Sequence, residues 1–585
     1  MTLFLWEVKY LFRIVMQHTQ GKARLSFFLA PLIMLGEVFC DLQQPTLMSK
    51  IIDQGLAKGD LGYVIHNALL MVMFAILGLV FGGSCGTLGS FASLKMGESL
   101  RSHLLDVALN DRQPKSLSPA TLITRITNDV TQMQNLVMMV TRGLVRSPML
   151  LFGGIVMSII ICPDLAPILG IIMPFLIIFL IIVVRRSIPK YTRMQQSVDA
   201  VNRVMRENLQ GAKTIKAYVL ENHQLQQFTG QNKKLQQNSQ IASLATVILS
   251  PVIQLMLNIG VIIAIGYGGS LAISNTISDG QIIAFVNYMI QITTAMIQTV
   301  NIITAFSRAI TSSSRVQEIL NLENNKRVVT QEEKMPLKSD IEFKNVNFGF
   351  NNSKPILNEI NFKLEDGQWL GIVGETGSGK SSLINLLTQK YDDYQGQIKI
   401  GGVDIKKMSL EDLHRKVAVA LQDSFLFSGN ILGNLTYGQP NASEIALKQA
   451  SQTSMSSEFI GQLPDKYQTS VEQAGKNFSG GQRQRLNIAR ALVMQSDVLV
   501  LDDATSAVDQ TTNAMIKQRL EKLRQNKTTL IISQRVTNIM DCDKILVLQD
   551  GQITALGTHQ QLLQQSQFYR QLVQTQMGDV DFGHA

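Results

Sequence analysis

The stretch GETGSGKSS, residues 374–382, decides the fold of the second half of this chain. It follows the apolar run 369–373, which is typical of a buried strand, and an apolar-periodic segment that predicts a helix begins at Leu383. The pattern G-x-x-x-x-G-K-[ST] is completed by Gly374, Gly379, Lys380 and Ser381. The sequence therefore predicts a strand, a loop and a helix that together bind phosphate groups.

Each residue type in this loop suits the phosphate chain of a nucleotide. Glycines let the backbone wrap around an anion, and the N-terminus of the following helix offers unpaired N–H groups. Lys380 can reach the outer phosphates, and the Ser381 hydroxyl can ligate Mg²⁺. We therefore predict that ATP or GTP is bound by Gly374, Glu375, Thr376, Gly377, Ser378, Gly379, Lys380, Ser381 and Ser382.

A second nucleotide motif lies further along the chain. Residues 498–501 form a continuous apolar run that predicts a buried strand, and Asp502 follows it. An acid at the C-terminal end of a strand can hold magnesium directly or through water. Together with Lys380 and Ser381, Asp502 indicates an α/β nucleotide-binding domain.

The first half of the chain has a different composition. The chain has 585 residues, of which 45% are hydrophobic and only 17% charged, and most of the apolar residues precede the nucleotide motifs. A formal net charge of +9 would suit a nucleic-acid partner. However, the basic residues concentrate in loops between long apolar runs, as the positive-inside rule requires. We expect a membrane half joined to a soluble half, and no nucleic-acid partner.

Six apolar segments are near or above the length needed to span a lipid bilayer. They cover about residues 25–48, 65–94, 136–161, 166–184, 244–271 and 282–306. An interfacial helix is predicted before them, over residues 4–16. Lys and Arg are frequent between the fourth and fifth spans and absent from the connections around Pro163 and Asn275. Both termini are therefore predicted to be cytoplasmic, at the plasma membrane.

Polar residues inside the predicted spans are candidates for a solute pathway. Five of them recur on one face of the sixth span and two more lie on the fifth, namely Asn287, Gln291, Thr294, Gln298 and Asn301, with Gln254 and Asn258. Such a stripe can line a solute pathway or form hydrogen bonds between helices. Glu37 and Asp41 on the first span can attract cationic solutes or carry protons, or they can pair with Arg142 or Arg146 of the third span.

A third motif between the two nucleotide motifs makes the assignment specific. Residues 478–482 read FSGGQ and are followed by RQRLNIARAL, which resembles the signature of ATP-binding cassette (ABC) proteins. Gln422 in ALQDSFLFSGNI resembles the Q-loop of that family, and SAVD at residues 506–509 resembles its D-loop. TRITNDV and ENLQGAKTIKAY in the first half are similar to the cytoplasmic loops of ABC exporters.

The resemblance implies a multi-domain fold. We expect an all-α transmembrane domain of six helices with an N-terminal elbow helix over residues 1–310, a linker over residues 311–340, and an α/β P-loop nucleotide-binding domain over residues 341–585. In the family, two cassettes meet head to tail, and each ATP is held by the phosphate loop of one cassette and the signature of the other. A second half-transporter is therefore required. Short coupling helices are expected near residues 110–118 and 209–215.

The resemblance also implies roles for individual residues. Those expected to act in hydrolysis are Gln422, Ser479, Gly480, Gly481, Gln482, Asp503, Asp509 and Gln534. Mg²⁺ is expected to be held by Ser381, Gln422 and Asp502. The ring of Phe350, where the family normally has Tyr, is expected to stack on adenine.

Two departures from the family pattern fall in one site. The family normally has Glu after the magnesium-binding Asp and His in the switch loop, whereas this chain has Asp503 and Gln534. Asp withdraws the carboxylate by roughly 1.5 Å, and glutamine cannot carry a positive charge. Residues 471–475 also read VEQAG where the family has VGERG. ATP binding is expected to be intact, and hydrolysis at this chain's own phosphate loop is expected to be impaired.

The complete signature and the impaired site together predict a heterodimer. A partner that has the Glu and the His would keep one working site, as in the bacterial heterodimeric multidrug exporters that this chain resembles. We expect an ATP-driven exporter of small lipophilic compounds, with cationic compounds as candidates. The alternatives are an exporter of lipid, peptide or porphyrin, and a regulatory ATP-binding subunit that gates a partner without pumping.

Overall fold

The computed structural model describes residues 2–110, 117–321, 333–349 and 355–577. These residues divide into a helical unit and an α/β unit, and the division along the chain falls near residue 324. The six-helix fold followed by an α/β nucleotide-binding fold is thus confirmed.

The helical unit is built from long helices. In chain order they are α1 (Thr2–His18), α2 (Gly21–Lys50), α3 (Leu61–Asn110), α4 (Pro119–Thr124), α5 (Val130–Ile161), α6 (Ala166–Gln210), α7 (Ala212–Ala217), α8 (Glu221–Val247), α9 (Leu249–Ile273) and α10 (Asp279–Leu320). Six of these, α2, α3, α5, α6, α9 and α10, are long and apolar enough to cross a membrane. With 50 and 45 residues, α3 and α6 measure about 75 Å and 68 Å, well over the roughly 30 Å hydrocarbon core.

Small residues bring α5 and α10 close together. A Cβ atom on Gly154 would lie 2.8 Å from Ile292, and one on Gly143 would lie 3.1 Å from Ile302. Ala295 of α10 is buried on the same side. Backbones that approach this closely gain dispersion contacts that a bilayer cannot supply.

The predicted linker begins later than residue 311. Helix α10 continues to Leu320, and Val316 and Ile319 are fully buried against the apolar residues of α1, α3 and α5. Residues 312–320 contain no Gly or Pro, so the polar run did not signal a helix end. Of the two predicted coupling helices, the second corresponds to the short helix α7, whereas most of residues 110–118 lies outside the described residues.

The α/β unit alternates strands and helices. Its strands are β1 (Ile341–Phe348), β2 (Leu357–Leu364), β3 (Trp369–Gly374), β4 (Gln395–Ile400), β5 (Val403–Asp404), β6 (Val417–Ala420), β7 (Gly429–Asn430), β8 (Ser470–Val471), β9 (Val498–Asp502), β10 (Thr528–Ile532), β11 (Lys544–Gln549) and β12 (Gln552–Gly557). Its helices are α11 (Lys380–Leu387), α12 (Leu410–Lys416), α13 (Ile431–Leu435), α14 (Glu444–Thr453), α15 (Ser456–Gln462), α16 (Gly480–Val493), α17 (Gln510–Leu523), α18 (His559–Gln565) and α19 (Gln567–Met577).

The main sheet has six strands in the order β12-β11-β3-β10-β9-β6. Five of them are parallel, and β12 pairs antiparallel with β11 at the edge. A smaller antiparallel sheet has the order β2-β1-β4-β5, and β7 pairs with β8. The central strands are buried on both faces, as expected for a parallel sheet: Leu530 packs towards the small sheet and Ile531 towards α16.

Candidate functional site

The sequence motifs for nucleotide binding meet where three neighbouring parallel strands end. Ile532 at the end of β10 pairs with Ile372 of β3 on one side and with Asp502 of β9 on the other. Parallel strands end at the same edge of a sheet, which is where ligands of open α/β folds bind. The loops that follow form a cavity of about 230 Å³ lined by Ile356, Thr376, Gly377, Gly379, Lys380, Ser381, Ser382, Gln422, Asp502, Asp503, Ile532 and Gln534.

The phosphate loop has a backbone that only glycine adopts easily. Gly377 and Gly379 have φ values of 88° and 104°, in the left-handed region. At Gly374, a Cβ atom would lie 2.1 Å from the carbonyl oxygen of Leu548. The loop therefore makes a tight turn that leads directly into α11, which begins at Lys380.

The loop fits a nucleotide phosphate chain. The Ser378 hydroxyl oxygen is buried and has no hydrogen-bond partner among the described residues. Lys380 Nζ donates to the carbonyl oxygens of Gly374 (2.8 Å) and Glu375 (2.7 Å), so the ammonium group is held at the loop. Burial lowers the pKa of Lys380, while the carboxylates of Asp502 and Asp503 act in the opposite direction. Lys380 lines the cavity and has one N–H left after these two hydrogen bonds, for which a phosphate oxygen would be a suitable acceptor.

Asp502 is suited to a bound cation. Its side chain is only 7% exposed, and burial together with the neighbouring Asp503 raises its pKa. The Ser381 hydroxyl hydrogen-bonds to Asp502 and works against that shift, as does Lys380. The buried carboxylate of Asp502, the Ser381 hydroxyl and the nearby amide of Gln422 supply the hard oxygen ligands that Mg²⁺ prefers.

Asp503, which the resemblance placed where the family has its catalytic glutamate, lines the same cavity. Its backbone is left-handed, with a φ of 47°, and its N–H donates to the carbonyl oxygen of Ile532 (3.0 Å). Burial raises the pKa of Asp503, while Arg535 and Lys380 lower it. The carboxylate thus faces the nucleotide cavity on a side chain one methylene shorter than that of glutamate.

The switch loop after β10 is held by the C-terminal helix. Gln534 is exposed and lines the cavity, and its carbonyl oxygen accepts a hydrogen bond from Gln576 Nε2 (2.7 Å). The N–H of Val536 donates to Gln576 Oε1 (2.8 Å). Gln576 of α19 therefore hydrogen-bonds to the switch loop through both the nitrogen and the oxygen of its side-chain amide. Sequence analysis missed Gln576, because a single glutamine 42 residues away has no local pattern to reveal it.

The signature segment forms the start of α16. Ser479 is the N-cap, its hydroxyl accepts from the N–H of Gln482 (3.2 Å), and Gln482 Oε1 accepts from the N–H of Ser479 (2.9 Å). Gly480 and Gly481 follow in the first turn, so their N–H groups have no partner within the helix. None of these four residues is among the described lining of the cavity at this chain's own phosphate loop.

One side chain of α16 also holds the D-loop. Gln484 Nε2 donates to the Ser506 hydroxyl (2.8 Å), and Gln484 Oε1 accepts from the N–H of Ala507 (2.7 Å). Asp509 at the end of this loop caps α17 by accepting from the N–H of Thr512 (2.9 Å), which holds the pKa of Asp509 below its usual range. The signature and the D-loop are therefore joined.

Helix α16 supports the Q-loop as well. Asn487 Nδ2 donates to the carbonyl oxygen of Leu421 (2.8 Å), next to Gln422. Arg490 donates to the carbonyl oxygens of Phe425 (2.9 Å) and Asn434 (2.9 Å). Phe350, which was expected to stack on adenine, lies outside the described residues.

The two acids of the first span are paired. Arg146 of α5 contacts Glu37 (N···O 3.3 Å) and Asp41 (3.0 Å) of α2. The structure thus favours the ion-pair alternative, and the acids give no support to an attraction for cationic solutes. Sequence alone left this open, because it does not specify how two helices are aligned.

The polar stripe of α10 is largely used in hydrogen bonds. Gln291 Nε2 donates to the carbonyl oxygen of Asp41 (3.2 Å), and Ser147 donates to Gln298 Oε1 (3.3 Å). Asn287 and Thr294 donate to carbonyl oxygens of their own helix. Gln254 and Asn258 of α9 are exposed, and the side chain of Asn301 lies outside the described residues. Of this set, Gln298 also lines a cavity, which is described below.

A phosphate loop, a buried acid at the end of β9 and a capped signature helix on an α/β unit, preceded by six apolar helices, define an ATP-hydrolysing transporter of the ABC exporter type. Family models match in the same order: the ABC transporter transmembrane region over residues 27–296, ABC transporter over residues 357–506, and a P-loop domain over residues 447–580.

Similar proteins agree with this class. The uncharacterized ABC transporter ATP-binding protein YfiB of Bacillus subtilis (strain 168) is 34% identical over 558 residues, covering 94% of this chain and 96% of the relative. The uncharacterized ABC transporter ATP-binding protein Rv1273c of Mycobacterium tuberculosis (strain ATCC 25618 / H37Rv) is 30% identical over 580 residues, 97% and 98% of the two chains. The solved structure of a bacterial Atm1-family ABC exporter with ATP bound shares the fold, with a TM-score of 0.76, 22% identity, and coverage of 96% and 99%.

This chain therefore belongs to the ABC transporter family. It is a multi-pass membrane protein that carries a transmembrane domain and an ATPase domain in one polypeptide.

Proposed function

We propose that this chain is one subunit of a heterodimeric ABC exporter. It binds Mg²⁺–ATP at a degenerate site of its own, and residues 479–482 complete the hydrolytic site of a partner that has the catalytic Glu and the switch His. The observation that carries the proposal is the presence of Asp503 and Gln534 in the same cavity as an intact phosphate loop.

The residues of the chain's own site support binding more than hydrolysis. Lys380 and the loop N–H groups would hold the phosphates, and Ser381 and Asp502, with Gln422, would hold Mg²⁺, which neutralises phosphate charge when bound. Asp503 faces the cavity but is short, and misplacing a reacting group by about 1 Å can cost on the order of 100-fold in rate. Gln534 can donate a hydrogen bond but cannot supply positive charge.

The signature supports a role in trans. Its capping box orders the first turn of α16, whose N–H groups and helix dipole favour an anion. Because these residues do not line the chain's own cavity, the γ-phosphate that they would contact belongs to another subunit.

The membrane half supports export of small lipophilic compounds across the plasma membrane, with both termini in the cytoplasm. Large apolar side chains cover the exterior of α3 and α6, and basic residues cluster between the fourth and fifth spans. A lipid, peptide or porphyrin remains an alternative cargo. A regulatory subunit that gates its partner is the second candidate, favoured by the same two departures. ATP-driven uptake into inverted membrane vesicles by the complex, and its loss without this chain's membrane half, would distinguish a pump from a gate.

The proposal is tested by comparing two lesions of this chain within the purified complex. Gly480→Asp places a negative charge at the start of α16, where a Cβ atom has only ordinary contact with Ala507 at 3.5 Å. We expect G480D to lower the ATPase rate of the complex by about 100-fold, as for loss of a transition-state donor. Lys380→Ala removes the lysine of this chain's own phosphate loop, and we expect it to lower the rate by only about threefold.

Gly480→Ala is the matched control, because it adds the same Cβ without charge and should retain most of the activity. If K380A stops hydrolysis while G480D leaves it intact, the asymmetric assignment is wrong. The same holds if this chain alone, as a homodimer, hydrolyses ATP as fast as the complex.

A further inference from the structure

A second cavity lies within the membrane unit, between α5 and α10. It has a volume of about 610 Å³, within the range of small-molecule pockets. All of its charged lining residues within the described part of the chain are arginines, Arg142 and Arg146 of α5 and Arg308 of α10. Asn135, Met138 and Met139 continue the lining. The α5 residues recur every three or four positions, so they share one helical face.

The three arginines are not equivalent. Arg146 is compensated by Glu37 and Asp41, which hold its two terminal nitrogens at 3.3 Å and 3.0 Å. Arg142 and Arg308 are exposed, and within the described residues no carboxylate lies in salt-bridge contact with either of them. Two uncompensated positive charges therefore face a cavity that is also lined by methionine thioethers.

We propose that this cavity binds amphiphilic anions. An acidic headgroup, such as a carboxylate or phosphate, is held by Arg142 and Arg308, and an apolar body packs on Met138 and Met139. The planar guanidinium fork matches such headgroups, because it can donate two hydrogen bonds to one carboxylate or phosphate. Flexible methionine side chains adapt to apolar bodies of different shape. The inference rests on the proposed export function and names its cargo class, in place of the cationic compounds suggested by Glu37 and Asp41.

The shared chemistry can come from two sources. Arginines near the end of a membrane helix also contact lipid phosphates. A membrane lipid with an anionic headgroup and a free amphiphilic anion would both satisfy Arg142 and Arg308, so the test includes an arm for each.

The test uses three probes that differ only at the headgroup. They are 11-(dansylamino)undecanoic acid, its neutral methyl amide, and the analogue that ends in trimethylammonium. Binding of each is followed by dansyl fluorescence to the full-length protein in phosphatidylcholine nanodiscs without nucleotide, with empty discs subtracted. We expect the carboxylate to bind at least about tenfold more tightly than the amide, and the ammonium probe to bind weakest.

Matched variants assign the preference to the cavity. R142Q/R308Q should remove the tenfold advantage of the carboxylate, and R142K/R308K, which keeps the charge, should retain part of it. R185Q/R186Q removes two exposed arginines of α6 that do not line the cavity and should leave the preference unchanged. Thermal unfolding verifies that each variant is folded. Equal binding of the three probes, preference for the ammonium probe, or an equal loss in R185Q/R186Q would overturn the proposal.

Replacing part of the phosphatidylcholine by phosphatidylglycerol identifies the source. Displacement of the carboxylate probe assigns the cavity to a lipid headgroup, and persistence assigns it to a free amphiphilic anion; both results keep the anion assignment. Because binding is measured without nucleotide, a negative result leaves the ATPase asymmetry of G480D and K380A untouched, and failure of that asymmetry leaves the binding result standing.

Discussion

At the scale of single residues, the nucleotide site contains two neighbouring carboxylates whose ionised forms lower the stability of the fold. Asp502 and Asp503 are adjacent, partly or fully buried, and both have raised pKa values because burial disfavours the charged form. A raised pKa in the folded state means that the folded protein binds these protons more tightly than the unfolded chain does. The contribution of these two protonated carboxyl groups to stability is therefore fully present below the ordinary Asp pKa, and it is lost as the pH rises through the raised pKa values.

Asp502→Asn should therefore stabilise the nucleotide-free protein at neutral pH by a few degrees in apparent Tm, because a neutral amide has no ionised form to desolvate. The advantage should shrink as pH falls towards the ordinary Asp range, where the wild-type carboxyl is protonated. The same variant should lose Mg²⁺-dependent ATP binding. Thermal unfolding across pH, with and without Mg²⁺–ATP, measures both effects; a D502N protein less stable than wild type at neutral pH would contradict the assignment.

The ion pair of Arg146 with Glu37 and Asp41 gives a second prediction at this scale. Arg146→Met leaves two carboxylates without their partner, one of them largely buried. Breaking a fully buried pair in this way typically costs about 3–5 kcal/mol, and the loss here is smaller because Arg146 and Asp41 are partly exposed. We expect R146M to unfold at clearly lower temperature in detergent. The triple variant E37Q/D41N/R146Q, which removes all three charges, should recover most of the loss, and an equally unstable triple variant would show that the charges are not the cause.

Residue identities in the nucleotide motifs were predictable from the sequence, since each sits in a fixed spacing. Which side chains pair with each other across two helices was not predictable. The sequence offered Arg142 and Arg146 equally for Glu37 and Asp41, and only the alignment of α2 with α5 selects Arg146.

At the scale of elements, the strands β3 and β9 were predictable because they are short apolar runs followed by polar loop residues. The end of α10 was not predictable, because most residues of its last turns are polar and the only buried apolar residues there are Val316 and Ile319. The contact between α19 and the switch loop was also invisible, because it depends on how the chain's C-terminal part folds back.

The link between Gln576 and the switch loop predicts a graded effect on ATP binding. Gln576→Ala removes two hydrogen bonds, and at roughly 1 kcal/mol each the ATP affinity of this chain's site should fall about fivefold or more, since Gln534 loses its support. Gln576→Glu keeps the acceptor for the Val536 N–H but cannot donate to Gln534, so it should be intermediate. Titration with a fluorescent ATP analogue measures this. A lower Tm with unchanged affinity would mean that Gln576 serves stability alone.

At the scale of the whole molecule, the proposed asymmetry of the ATP sites rests on two side chains, so restoring both should restore turnover at this site. In a complex whose partner carries Gln in place of its catalytic Glu, D503E/Q534H in this chain should raise single-site ATP hydrolysis by about 10- to 100-fold. D503E alone and Q534H alone are the controls, and each should give less than the pair because the two groups act together. No gain from the double variant would place the deficit elsewhere, for example in residues 471–475.

The hydrogen bonds of Gln484 have a consequence for timing in the assembled transporter. The side-chain amide of Gln484 joins α16, which begins with the signature, to the D-loop that follows Asp503 in this chain. Neither segment can move independently of the other without breaking the hydrogen bonds of Gln484. In the proposed heterodimer, this link would couple movement at the partner's nucleotide to movement at this chain's own site, so that the hydrolysis cycle at one site would depend on the state of the other.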